Sequence, residues 1–578
     1  MFRKVKERSL KMFRKVAVVL ISVVLAVSLM ATAAFASEAL DPVTVEGGLV
    51  TGVPTDVEGV AIYKGIPFGA STAGENRWKA PQPVEPWEGE MAADTWGDQA
   101  VQTPASILFP PVDSFYGDEF YYPEEYTPDI SEDCLNLNLY TPAASADEKL
   151  PVLMYIHGGG NQHGHASEME FYASKLAAKG IVVVSVQYRV SMYGFLTLPG
   201  LSAENEYGSS GNYAILDLIA ALKWIQNNIA AFGGDPDNIT ISGQSAGAMN
   251  VTALLRSPLA KGLFQNAIIQ SGFYGFVTEG GALPYSDMKT VQEEAQKAVI
   301  AAMGLPEDIS PEDLVAELRS HEWEYYRDTM SAVDETQDLY TAITNASSGY
   351  VIDGYVFTEE SVDLLAPGAL DGVNIMIGGT SDEYTSLSGD PDGEMSLEEF
   401  AASMEEAYGE DYTSGYEATD EKEAYRVSLR AKSDRLMQIY RVSAEYANKY
   451  NDTNAYVYYF NHDMPKHANP SRDEDFYGSY HSSELWYYFN SMRDVEGQRQ
   501  WTDEDYALGE VFSTYIANFV KTGNPGDDWA VCSAENDGAF MWYHDDIGEC
   551  TTQVYPEREA LNLANVLASY GISEEDLK

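Results

Sequence analysis

The stretch that most constrains this chain begins at Asn212 and runs past Gly247. Ile215, Leu218, Ile219, Leu222, Ile225 and Ile229 recur at three- and four-residue spacing, which gives a helix over 212–231 one apolar stripe. Phe232-Gly233-Gly234-Asp235-Pro236 stops that helix, and a β-branched run over 238–242 follows. That run enters Gly243-Gln244-Ser245-Ala246-Gly247, beyond which an apolar stretch can open a second helix. Glycines on both sides of a serine let the backbone turn sharply from strand to helix and lift the hydroxyl clear of the sheet. A G-x-S-x-G alone is weak, since chance supplies one in roughly a fifth of chains this long. Its weight depends on the rest of the chain.

Apolar, β-branched runs recur at 151–156, 181–187, 239–242, 267–270, 373–377 and 455–460, with helical patterns between them. Strands that are apolar on both faces need cover on both faces, so the expected class is α/β, a mostly parallel central sheet flanked by helices. No linker divides the 578 residues and no repeat appears. Two acidic, helical stretches interrupt the strands at about 285–345 and 396–449. In the first, Ser310-Pro311 reads as a helix start; in the second, Ser396 and Glu399 are spaced as a capping box. Both read as excursions that build a cap and pocket walls on a single catalytic domain spanning 37–578.

Residues 1–36 read as an export signal: a cationic head from Arg3 to Lys15, an apolar run over 16–30, and Ala34-Phe35-Ala36 before the cut. Met12 is an alternative start. Loss of this leader takes seven basic residues and Glu7 with it, and moves the formal charge from −55 to −61. A surface so acidic excludes a general nucleic-acid binder and disfavours an anionic membrane; no stable membrane insertion is expected after cleavage. Three cysteines make no disulfide framework, although Cys532 and Cys550 are close enough in sequence for one bridge. No zinc, calcium, dinucleotide or P-loop spacing appears, so neither metal nor cofactor is expected.

His157-Gly158-Gly159-Gly160 follows the run at 151–156. Successive glycines leave backbone N–H groups free to point into an open site, as an oxyanion requires, and such a run is far rarer by chance than the serine motif. With these two motifs in place, the chain resembles the type-B carboxylesterases of the α/β-hydrolase superfamily, the branch that includes cholinesterases and bacterial p-nitrobenzyl esterases. The resemblance extends to Tyr63-Lys64-Gly65-Ile66-Pro67-Phe68, to Ser131 through Asn138, to the stretch before Ser245 and to Lys521-Thr522-Gly523-Asn524-Pro525. It implies Ser245 as nucleophile and the N–H groups of Gly159, Gly160 and Ala246 as oxyanion donors. Ile377 through Glu383 resembles the block that holds the triad acid, which implies Glu383; Tyr384 stands where glycine is common, which keeps Asp382 as the alternative. Tyr480-His481-Ser482-Ser483-Glu484-Leu485 matches the histidine loop and implies His481 as general base and acid, ahead of its rivals His163 and His165.

Two departures stand out. Asn161 replaces the usual aromatic or aliphatic residue after the glycine loop, and with Gln162, His163 and His165 it makes a polar rim. The cysteine that normally pairs with Cys134 is replaced near Ala100. Ser271 lacks flanking glycines and reads as a buried hydrogen-bonding serine. The expected function is a secreted serine carboxylesterase that takes a small-molecule ester. The alternatives are a lipase or aromatic-ester hydrolase of the same family, or an inert binding protein; oligomeric state is open.

Overall fold

All six apolar runs become neighbouring strands of one sheet, since none can face water on either side. The computed structural model describes residues 40–577 except 103–111, 121–125, 273–284, 348, 365, 468–473, 496–497 and 546; the leader lies outside the described residues. The strands are β1 (Val53–Pro54), β2 (Ala61–Pro67), β3 (Asn136–Thr141), β4 (Leu150–Ile156), β5 (Val182–Val186), β6 (Gly234–Gln244), β7 (Asn266–Gln270), β8 (Asn374–Thr380), β9 (Ala455–Phe460), β10 (Phe540–His544) and β11 (Ile547–Thr551). Their spatial order is β1-β2-β3-β5-β4-β6-β7-β8-β9-β10-β11. From β5 through β10 all pairings are parallel, and both margins are antiparallel. Every residue of β5, β7 and β9 is buried.

The chain leaves β4 for β5 on one side and returns to β6 on the other, so the strand order reverses at β4. In open α/β sheets, ligands bind in the crevice beyond the strand ends at such a switch point. Here the pairing of Ile156 with Gly243 sets the glycine loop and the serine turn side by side.

The striped helix is Tyr213–Asn228, extended by a 3-10 turn to Phe232 and ended at Gly233 with φ of +77°. The first acidic stretch forms helices Met288–Met303, Pro311–Arg319, Trp323–Asp328 and Leu339–Ala346. Ser310 caps the second of these by accepting the Asp313 N–H. Their buried residues, among them Val299, Leu314 and Ile343, cluster with Tyr193 and Leu198. The second stretch behaves differently from the excursion expected of it. Leu397–Tyr408 does start at a Ser396–Glu399 capping box, but the thirty-residue helix Glu421–Tyr450 lies on the sheet. Its Tyr440 side chain crowds the Cα of Gly379 in β8, and Leu436, Ile439, Tyr440 and Val442 are buried. The acids of this stretch are concentrated before that helix and in its first turn, and the apolar residues that meet the sheet lie in its second half.

Cys134, Cys532 and Cys550 are all thiols, and the bridge that the spacing of the last two allowed is not formed.

Candidate active site

Ser245 sits between β6 and the helix Ala246–Arg256 with φ of +57° and ψ of −124°, a conformation a non-glycine residue adopts only when its surroundings impose it. Both flanking glycines are required by close approach. A Cβ on Gly247 would lie 2.0 Å from the Ile156 carbonyl oxygen, and one on Gly243 would lie 2.5 Å from the Gly247 backbone. The motif therefore packs a turn directly on the end of β4. The Ala246 N–H belongs to the first residue of its helix and has no partner within that helix.

The glycine loop leaves β4 with positive φ at Gly159 (+97°) and Gly160 (+64°). A side chain on Gly159 would strike the His163 carbonyl. Gly158, Gly159, Gly160, Ser245 and His481 all line one cavity of about 160 Å³, with Tyr116, Phe120, Phe171, Leu387 and Leu485 as its apolar walls.

His481 lies in the loop before Leu485–Tyr488, only 3% exposed. Its Nδ1 contacts Glu383 Oε2 in a short hydrogen bond, while its Nε2 lies 3.1 Å from the carboxamide nitrogen of Gln244, the residue next to Ser245. Glu383 follows β8 and is fully held: its Oε1 accepts the Thr380 N–H at 2.8 Å and the Ser271 hydroxyl at 2.6 Å. These donors replace the water that burial takes from the carboxylate.

Asp382, one residue earlier, points elsewhere. It pairs with Arg430 at 2.9 Å, accepts the Ser381 hydroxyl and the Ser479 N–H, and borders a separate, open groove of about 710 Å³ lined by Arg426, Arg430 and Arg558. The structure brings Glu383 to His481 and turns Asp382 away.

Sequence reasoning gave no role to Glu484. It is buried beside Glu383, and Ser271 links the two, its oxygen 3.3 Å from Glu484 Oε1. Burial, then repulsion by the Glu383 carboxylate, pushes the Glu484 carboxyl up to about 8, so near neutral pH it is mostly protonated. Only its place in the histidine block marked it.

The two rival histidines are buried. Desolvation lowers His163 to about 4 and His165 to about 3, and His165 Nδ1 pairs with the Ser167 hydroxyl. His163 borders the cavity. Asn161 does not shape it: with φ of +58°, its amide donates to the Tyr350 hydroxyl and accepts from Asn250, both at 2.9 Å. The polar rim expected there is in part an internal network. Among the described residues no group of three or more His, Cys, Asp or Glu side chains is placed to hold a metal ion, and no helix is long and apolar enough to cross a membrane.

The carboxylesterase family model matches residues 41–554. The para-nitrobenzyl esterase of Bacillus subtilis strain 168 is 32% identical over 502 residues, covering 84% of this chain and 91% of that protein. Carboxylesterase 1F of Mus musculus is 30% identical over 505 residues, covering 83% and 85%. Among solved structures, the Geobacillus stearothermophilus carboxylesterase at pH 6.2 superposes with a TM-score of 0.68 at 27% identity, over 90% of this chain and all of that one. The sheet, its switch point and these likenesses agree on an α/β-hydrolase fold and on carboxylic ester hydrolysis, and the chain belongs to the carboxylesterase family.

Proposed function

We propose that the protein is a secreted serine carboxylesterase in which Ser245, His481 and Glu383 form the catalytic triad. The observation that carries this reading is the Glu383–His481 contact, which opens onto the same cavity as Ser245. Glu383 holds the Nδ1–H tautomer and leaves Nε2 as the base. Nε2 takes the Ser245 proton as Oγ bonds to the ester carbonyl carbon. The carbonyl oxygen becomes an oxyanion facing the N–H groups of Gly159, Gly160 and Ala246. The C–O bond then breaks, the alcohol leaves with the proton from His481, and water, deprotonated by His481, releases the acid and restores Ser245.

A cavity of about 160 Å³ favours a short group over a long lipid chain on the side of the ester it receives. Cleavage after Ala36 and a single catalytic domain over 37–578 belong to the same reading. The test is Ser245→Ala against short-chain p-nitrophenyl esters, with fluorophosphonate labelling alongside. Wild-type turnover in the variant, or no labelling of the native protein, overturns the mechanism; N-terminal sequencing of protein recovered from culture medium tests the leader.

A further inference from the structure

Two acids line the cavity that acyl transfer does not use. Glu168 and Glu170 flank Met169 at the turn Met169–Phe171, and both are buried, Glu170 to 1% exposure. Glu168 Oε1 accepts the His165 N–H at 2.8 Å. Glu170 Oε2, by contrast, has no hydrogen-bond partner among the described residues. Leaving a buried carboxyl oxygen without a donor costs stability that surface placement would spare, and buried polar atoms in folded proteins are otherwise almost always satisfied. Burial and the neighbouring Glu168 push the Glu170 carboxyl up, so the pair resists carrying two negative charges. No lysine or arginine lines the cavity among the described residues, whereas the aromatic side chains of Tyr116, Phe120 and Phe171 do. The site thus offers an acceptor and aromatic faces, and lacks a group to receive an anion.

The geometry points to an ester bearing a protonated primary amine, whose N–H donates to Glu170 Oε2 while the ester carbonyl is at Ser245. This rests on Ser245 as the nucleophile and names the substrate class of that site. An ammonium brings up to three donors and a charge that would offset the repulsion between the two carboxyls; a quaternary ammonium brings charge with no donor, and a methyl group brings neither. The aromatic walls attract either cation, so the hydrogen bond is what separates them. Charge steering toward a chain of formal charge −55 acts in the same direction.

The test compares kcat/KM for ethyl ω-aminohexanoate with ethyl heptanoate, and for ω-aminopentyl butyrate with hexyl butyrate, so that the amine sits once on each side of the ester. Hydroxyl and trimethylammonium counterparts complete each series. In one series the amine should exceed all three counterparts by about tenfold or more, the size of a charge-assisted hydrogen bond. Glu170→Leu should invert the amine-to-methyl ratio and Glu170→Gln should reduce it. Equality of amine and methyl in both series overturns the proposal; so does a trimethylammonium or hydroxyl ester that matches the amine. If Glu170→Leu does not fold, the native enzyme still decides. Pentylamine should inhibit hydrolysis of the methyl ester at about tenfold lower concentration than pentanol, and equal inhibition overturns the proposal. The methyl esters keep the two readings apart. Their continued hydrolysis by Ser245→Ala sinks the nucleophile, while Ser245-dependent turnover with no amine preference sinks only the amine.

Discussion

Two groups of buried titratable side chains line or adjoin one cavity and are treated in opposite ways. Around His481, each charge that catalysis needs has a partner: Glu383 accepts from Thr380, Ser271 and His481. Around His163, His165 and Glu170, burial wins, and the histidines are lowered to about 4 and about 3 while the Glu170 carboxyl is pushed up. Both groups are equally out of water. Burial alone therefore does not decide what a histidine does: a carboxylate is fixed on His481 Nδ1, whereas desolvation lowers His163 and His165.

Removing the base should break this contrast most severely. His481→Ala is expected to cost kcat on the order of 10⁶-fold, measured with a short-chain ester, because serine then has nothing to take its proton. Glu383→Gln should cost on the order of 10⁴-fold by losing the carboxylate that fixes the imidazole and stabilises its cation. Asp382→Asn, whose carboxylate faces Arg430 instead, should cost less than about tenfold by the same assay. If the two acid variants fall equally, the assignment of Glu383 is wrong. Ser271→Ala should fall between the two acid variants, at about tenfold, by leaving Glu383 one donor short.

The contrast also marks what could be read from the chain. The apolar runs became strands and the serine and glycine motifs lie at the switch point, because continuous β-branched segments and close backbone approaches leave compositional traces. The antiparallel margins left fewer: β11 has no buried residue, so no apolar run announced it. Asp382 and Glu383 are adjacent in sequence and part ways only in the turn after β8, a divergence no spacing encodes. Asn161 read as pocket rim, yet a left-handed backbone turns it inward to Tyr350. Glu168 and Glu170 belong to no motif, and only the fold shows that both are buried.

Histidines held neutral inside the fold must leave a pH signature of their own. His165 has its ordinary value near 6.5 when unfolded and about 3 when folded, so below 6.5 the unfolded state binds a proton the folded state refuses. Stability is then fully present above about pH 6.5 and falls as pH drops toward 3, by up to about 1.4 kcal/mol per pH unit for each such group. His165→Gln should remove that slope for one group, so that the unfolding free energy of the variant gains on that of the native protein as pH falls from 7 to 4. Glu484 supplies the opposite sign. Its carboxyl, pushed up to about 8, contributes stability below its ordinary value near 4.5 and loses it as pH rises through 8. Glu484→Gln should therefore remove a fall in stability that runs from about pH 4.5 to 8, and above about pH 6.5, where His165 adds no slope, the effect is read alone. Denaturant titrations of the native protein and both variants from pH 4 to 9 measure these effects together. Parallel curves for native and His165→Gln across the acid range would show that burial does not hold this histidine neutral.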